Sequence, residues 1–324
     1  EEQFDEFNEM NFTHNNHLTY TTGGRPCGYR EEPTDKFKVD IGAIDKDHYA
    51  KSSWLEEQYR TADLIYKDYG KDFVVMFSGG TDSEIVLHAF KKIGVRPRAV
   101  FIKFVGDYNL PDLELAIQIT NSLDIKLDII PFDIVNFYAN GKAHEFAAEL
   151  QCSQMAYLSV YHHIAKLGLP AVMGGEMLMK RHVNADGSKW FYCFRENEDA
   201  SAIRFSKKYS IPLVNEWFSY TPEMMGYYLE RPRIQELITN KHNGKMTSVS
   251  SKNAVLNHLF PGLVKKIKTT GFEQLLGFNG ESYANLANTY VKRLESSLDG
   301  IYIDDVYKKL FGEEYASGET QQQS

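Results

Sequence analysis

The sequence predicts an α/β protein, a layer of parallel strands and helices followed by a mostly helical C-terminal part. Three observations predict it. Phe73-Val74-Val75-Met76-Phe77 is a short continuous apolar run, as expected of a strand buried on both faces. A Gly-rich turn and an amphipathic helix follow it directly. Further strand candidates then alternate with helices, and that alternation argues for a parallel sheet.

Residues 1 to about 51 have mixed composition and weak periodicity. Gly23, Gly24, Pro26 and Gly28 cluster in a loop-like stretch, so irregular structure is expected there. From Trp54 to Tyr69, Leu55, Tyr59, Ala62, Leu64, Ile65 and Tyr69 fall roughly on one side of a helix. After the Phe73 run, a helix is expected from about Asp82 to Ile93, with Gly94 as its C-terminal cap. Ala99 to Phe104 reads as a second strand. Asn109 can cap the next helix, with Pro111 in its first turn and Leu123 near its end. Lys126 to Ile130 is a third strand, Gln154 to Leu167 a helix ending at Gly168, and Ala171 to Met173 a fourth strand. After Lys180 the pattern changes. Thr221-Pro222-Glu223 looks like a helix start, and amphipathic segments continue to about Leu310.

A hydrophobic content of 43% over 324 residues suffices for one large domain or two small ones. The net charge of -8 argues against a protein that coats nucleic acid. Cys27, Cys152 and Cys193 lie far apart and form neither a CxxC pair nor a zinc spacing, which suits a reducing compartment. There is no apolar run of about 18 residues, and Glu1 to Glu9 is acidic and polar, unlike a signal peptide. The expectation is a soluble cytoplasmic protein, with neither nucleic acid nor membrane as the main partner; a homo-oligomeric state is left open.

The chemistry is carried by Ser78-Gly79-Gly80-Thr81-Asp82-Ser83, between the buried strand and the helix. Glycines let the backbone approach an anion closely. The helix start adds free N–H groups and a positive dipole end, and Ser78, Thr81 and Ser83 add hydroxyls. The pattern describes a cradle for a phosphate chain. Asp82 would repel phosphates unless a cation stood between. Magnesium favours one or two carboxylates with phosphate oxygens and water, so Asp82 is assigned as a magnesium ligand. The bland alternative, a turn and helix cap, needs the same residue types. Neither GxxxxGK[ST] nor GxGxxG after a strand is present, which excludes those two nucleotide loops.

Phe77 through Ser83 resembles the signature of the N-type ATP pyrophosphatases, the family of asparagine, GMP, NAD and argininosuccinate synthetases and of tRNA-thiolating enzymes. The resemblance covers about Lys71 to Lys180. It implies an adenine nucleotide alpha-hydrolase-like, doubly wound sheet, with ATP and Mg2+ as cofactors. It also implies that Phe104, at the end of the second strand, lines the adenine side through its backbone. Gly174-Gly175-Glu176 looks like a degenerate second synthetase motif, with Glu176 as its one acid and a second metal-ligand candidate. Phe260-Pro261-Gly262 through Lys268 looks like the segment that brings a lysine to the phosphates, with Lys265 and Lys266 as rivals. Asp107 and Asp133, just after strands, are lesser candidates. His162-His163 and Met173, Met177 and Met179 are read as packing.

The implied domains are an N-terminal extension (1–70), an ATP-binding α/β domain (71–190), a helical substrate-facing part (191–312) and a flexible tail (313–324). The 70 residues before Lys71 are too few for a glutamine amidotransferase domain, so ammonia or an amine donor is expected from elsewhere. The implied reaction is adenylation of a carboxylate or carbonyl-type oxygen of a small-molecule acceptor, with release of pyrophosphate and attack by an amine or ammonia. Glu176 would hold metal or the amine, and Lys268 a β- or γ-phosphate. Two rivals remain: a tRNA or nucleotide thiolation enzyme, which a basic groove from Lys207, Lys208, Lys241, Lys245 and Lys252 would favour, and a non-catalytic adenine-nucleotide-binding module.

Overall fold

The computed structural model describes residues 17–26, 28–152, 155–175, 178–184, 187–229, 256, 260, 262–264, 271, 275 and 298–313. In chain order the strands and helices are β1 (Leu18–Thr22), β2 (Arg25–Pro26), β3 (Phe37–Ile41), α1 (Lys46–Lys51), α2 (Trp54–Tyr69), β4 (Val74–Met76), α3 (Thr81–Lys92), β5 (Arg98–Phe104), α4 (Leu110–Leu123), β6 (Leu127–Phe132), α5 (Ile134–Ala139), α6 (Lys142–Leu150) and α7 (Met155–Leu167). Then come β7 (Ala171–Val172), β8 (Leu178–Asn184), β9 (Gly187–Arg195), α8 (Ser201–Tyr209), β10 (Leu213–Val214), α9 (Pro222–Tyr228), β11 (Leu298–Tyr302) and α10 (Ile303–Phe311).

Five strands form a parallel sheet in the order β10-β7-β4-β5-β6. Successive residues of its strands point into two separate cores, as the period of two requires. Val75, Phe77, Ala99, Phe101, Val172 and Val214 pack on one face with residues of α2, α3, α4 and α9. Val74, Met76, Val100, Ala171 and Leu213 pack on the other with residues of α5, α6, α7 and α8. Helices therefore cover both faces, and the fold is a doubly wound α/β layer, as the sequence predicts.

Three expectations need correction. The segment before α1 is not irregular: β2-β1-β3 is an antiparallel sheet, and Gly23 and Gly24, both at positive φ, make its two-residue hairpin turn between Thr22 and Arg25. The stretch after Lys180 is less helical than expected, because β8 and β9 pair as an antiparallel hairpin joined by β11. The parallel sheet also does not end near residue 190, since its edge strand β10 comes from further along the chain. The calls on residues 230–255 and on the tail beyond Glu313 lie outside the described residues.

The N-terminal sheet is tied to the body by buried charge. Arg204, 1% exposed, donates to the Gly28 carbonyl at 2.9 Å and to Glu196 at 3.2 Å, and Arg30 reaches the other Glu196 oxygen at 2.5 Å. A carboxylate shared by two guanidiniums is costly to bury but more costly to break from one side. Among the described residues, no helix is long and apolar enough to cross a membrane.

Candidate functional site

The strand order fixes where a ligand can sit. The chain leaves β4 for β5 and β6 on one side, then returns to build β7 and β10 on the other, so the loops after β4 and β7 diverge at a topological switch point. The Ser78–Ser83 loop follows β4, and the Gly174–Gly175 turn follows β7.

After Phe77 donates to the Val100 carbonyl, the chain turns sharply. Gly79 has φ 70, and a Cβ there would lie 2.6 Å from the Asp112 carbonyl oxygen of α4, so both conformation and space demand glycine. Gly80 is the N-cap residue of α3 and, as a glycine, has no side chain to make a cap hydrogen bond. The hydroxyls instead brace the loop: Gly80 N–H donates to Ser78 Oγ at 3.3 Å, Ser83 Oγ–H donates to the Gly80 carbonyl at 3.1 Å, and the two serine oxygens lie 3.4 Å apart. The result is a preformed turn above a helix N-terminus, the arrangement that binds phosphate through backbone N–H groups and the helix dipole. Thr81 and Asp82 are half-buried in the first turn of α3.

The second loop is packed into the first. A Cβ on Gly174 would lie 2.8 Å from both Asp82 Cβ and the Ser83 nitrogen. Gly175 has φ 74, and its Cβ would lie 2.5 Å from Glu216 Oε2 and 2.6 Å from the Asn215 carbonyl oxygen. Trp217 N–H donates to the Gly174 carbonyl at 3.3 Å, and Met173 N–H to the Val214 carbonyl at 2.7 Å. Thus Asp82, the loop serines, Gly174 and Gly175 are brought together. Glu176 and Lys268, with Lys265 and Lys266, lie outside the described residues.

Phe104 stands at the end of β5, 4% exposed. Its N–H is taken by Asn109 Oδ1 at 2.9 Å and its carbonyl accepts from Asp107 N–H at 3.2 Å. The Phe104 N–H is therefore already taken within the β5–α4 turn. Asn109 also donates to the Ile102 carbonyl at 2.9 Å, so its side chain closes the β5–α4 turn instead of capping α4. Two residues near the lysine segment touch α3 and the β5–α4 turn. Val264 N–H donates to buried Glu84 Oε1 at 3.3 Å, and a Cβ on Gly271 would lie 2.9 Å from Asn109 Cβ. Sequence reasoning did not single out Glu84 or Glu216 and read Asn109 only as a helix cap; the contacts of all three are set by the fold, not by a local pattern.

The lesser candidates take structural parts. Asp133 accepts from Asn136 N–H at 2.9 Å as a helix cap, and Asp107, at φ 60, pairs with Lys103 at 2.9 Å. His162 lies among the rings of Phe132, Phe137 and Phe146, and burial lowers its pKa to about 4. His163 Nδ1–H donates to the Ser159 carbonyl at 2.8 Å, and its pKa is also lowered by burial. Lys208 pairs with Glu149 at 3.0 Å. Among the described residues no group of three or more His, Cys, Asp or Glu could hold a metal ion. Asp82 beside loop hydroxyls instead fits magnesium carried in with a polyphosphate, which needs few protein ligands.

No family model and no curated protein matches this chain. Among solved structures it is similar to a predicted subunit of tRNA methyltransferase from Methanocaldococcus jannaschii, at 20% identity over 44% of this chain, with TM-score 0.28. The chain spans 66% of that protein's length, just under two thirds. It is also similar to the NMN synthetase of Francisella tularensis, at 13% identity over 65% of this chain and 92% of that one, TM-score 0.29. The NH3-dependent NAD synthetase of Campylobacter jejuni matches at 14% identity over 68% of this chain and 99% of that one, TM-score 0.28. The assignment of the fold rests on this chain's own strand order and two-sided core.

Proposed function

We propose that this chain is an ATP-dependent adenylating enzyme that cleaves ATP between its α- and β-phosphates. One observation carries the reading: the Ser78–Ser83 loop lies at the switch point, preformed, with a glycine, which has no capping side chain, as the N-cap of α3. In this reading the pyrophosphate portion of ATP lies on the N–H groups of the loop and the first turn of α3. Ser78, Thr81 and Ser83 supply hydroxyl donors. Asp82 holds magnesium, which neutralises charge on the leaving pyrophosphate. The adenosine extends toward the β5–α4 turn at Phe104 and Asn109. Lys268 meets the β- or γ-phosphate, and Glu176 holds a second metal or the incoming amine.

The acceptor, a carboxylate or carbonyl-type oxygen, attacks the α-phosphorus, and ammonia or an amine then displaces AMP. The protein's part is to position reactants and stabilise charge, not to form a covalent bond. The test is product analysis with ATP, magnesium, ammonia and a panel of small carboxylate and carbonyl acceptors. AMP and pyrophosphate in equal amounts support the reading. ADP and orthophosphate as the stoichiometric products overturn it.

A further inference from the structure

A C-terminal segment is seated on the helix that begins at the phosphate loop. Leu256 and Leu263, both buried, join the core that α2 and α3 share. Between them Phe260 packs edge-on against Trp54 of α2, with ring centroids 6.3 Å apart, and against His88 of α3 at 5.2 Å. These apolar contacts are non-directional, so they set the register of the main chain only loosely. One contact is directional: Val264 N–H donates to Glu84 Oε1 at 3.3 Å. Glu84 is buried in the first turn of α3, where its own N–H donates to the Gly80 carbonyl at 3.0 Å. A single helical turn thus joins the acceptor of Val264 to the phosphate loop. The chain meets the sheet again at Gly271, where a Cβ would lie 2.9 Å from Asn109 Cβ and 3.0 Å from the Tyr108 carbonyl oxygen. These two points lie on the helix after β4 and in the turn after β5, which are adjacent strands. In sequence, Lys265, Lys266 and Lys268 fall between them.

We propose that Glu84 is a positioning residue of the nucleotide site: its carboxylate holds Leu263–Val264 on the first turn of α3 and couples the seating of this segment to occupation of the Ser78–Ser83 loop. This rests on the nucleotide-binding reading above. A polyphosphate that engages the N–H groups of that turn steadies it, and the steadied turn keeps Glu84 Oε1 in place for Val264. Such coupling is reciprocal, so loosening the segment at Val264 weakens the polyphosphate in turn. What Glu84 supplies is an acceptor for a main-chain N–H. Glutamine keeps that acceptor, whereas methionine keeps the length of the side chain and offers only a weak one. A residue that merely filled space would be replaced equally well by either.

The experiment measures hydrogen exchange of the Leu263 and Val264 amides, and calorimetric affinity for α,β-methylene-ATP with magnesium. It uses the wild type, Glu84→Gln, Glu84→Met and Glu84→Asp, with thermal unfolding as the control for folding. In the wild type the analogue is expected to slow exchange at Val264 at least fivefold. Without nucleotide, Glu84→Met should exchange about tenfold faster at Val264 than the wild type, the scale of one lost hydrogen bond to a charged acceptor. It should also bind the analogue at least threefold more weakly and lose most of the slowing. Glu84→Gln should recover most of both. Methionine and glutamine variants that agree within twofold in both measurements, with the wild type binding the analogue, overturn this inference and leave the nucleotide reading standing. A wild type that binds no analogue overturns both. If Glu84→Met unfolds, Glu84→Asp decides, because it keeps the charge with a reach one methylene shorter: wild-type exchange at Val264 together with wild-type affinity overturns the proposal.

Discussion

Gly79–Gly80 and Gly174–Gly175 lie at the ends of neighbouring strands, yet they are glycines for different reasons. In the first pair, Gly79 takes a left-handed φ of 70 while Gly80 is ordinary extended backbone at φ -79. That pair makes a turn that leaves the start of α3 open to an anion. In the second pair Gly174 is glycine for room alone, while Gly175 combines a left-handed φ of 74 with close neighbours. Gly174 needs no positive φ, but any side chain would run into Asp82 and Ser83, and Gly175 is hemmed in by Asn215 and Glu216. One pair shapes the phosphate cradle; the other lets a second loop close against it. Glycine in both motifs is legible in the sequence, but only the structure separates conformation from clearance.

The largest expected effect is at Asp82, which belongs to the first loop and touches the second. Asp82→Asn should lower the rate of pyrophosphate release by roughly a hundredfold to a thousandfold, the scale of losing a preorganised charge-stabilising group. The fold should lose no more than about 1 kcal/mol, the worth of an acid near a helix N-terminus. Near-normal turnover at low magnesium would show that Asp82 only caps α3. Steady-state kinetics over a magnesium series, with thermal unfolding alongside, reads both quantities.

Lys268→Ala should lower the maximal rate by roughly a hundredfold, about 2–4 kcal/mol of transition-state stabilisation, with a smaller effect on ATP binding. Lys265→Ala and Lys266→Ala should be mild. The described residues on either side of this run, Val264 and Gly271, touch α3 and the β5–α4 turn respectively. Equal and small effects at all three lysines would place the phosphate lysine in another segment.

Gly79→Ala and Gly174→Ala sharpen the comparison itself. Each should cost about 1–3 kcal/mol, the first through strain and a clash with a carbonyl, the second through overpacking alone. Gly94 is the internal control, with φ 82 and nothing within 4 Å of an added Cβ. Asn tolerates left-handed backbone, so Gly94→Asn should be near neutral, while Gly79→Asn should remain as damaging as Gly79→Ala. Denaturant midpoints for the four variants test this. Recovery at Gly79→Asn would mean that conformation, not contact with α4, is what glycine provides there.

The smallest effect is a pH dependence of stability. Burial lowers His17 to a pKa of about 4, with its ring bonded to the Ser219 carbonyl at 2.7 Å, and His162 is lowered to about 4 by burial as well. Both folded values lie below the ordinary 6.5, so the unfolded chain takes up protons first as pH falls. Their contribution is intact above about pH 6.5 and is lost as pH drops toward 4. Denaturant midpoints at pH 7 and pH 4.5 should show a smaller drop for His17→Gln than for the wild type; an equal drop would remove His17 from the account.

The legible parts of the fold share a physical property. Phe73–Phe77 and Ala99–Phe104 are buried on both faces and read as apolar runs, and helix α2 was expected over the same residues that it occupies. The strands that escaped notice lack that signal. Leu213–Val214 is only two residues long, and β1 and β3 alternate buried and exposed positions over five residues each. At the site, the loop was legible because its chemistry is local. Glu84, Asn109 and Glu216 were not, because each acts on a partner set by the fold: Val264, the end of β5, and Gly175.

The claim that the crevice between β4 and β7 holds the polyphosphate is tested most directly by hydrogen exchange of backbone amides with and without magnesium and α,β-methylene-ATP. The analogue cannot be cut at the bond the enzyme is proposed to break, so the complex persists through the measurement. The account predicts slowed exchange at residues 79–84 and 174–175, with no comparable change around Gly28, Arg30 and Arg204, where the N-terminal sheet is tied to the body. Unchanged exchange in the two glycine loops at saturating nucleotide, or protection confined to another region, would contradict it.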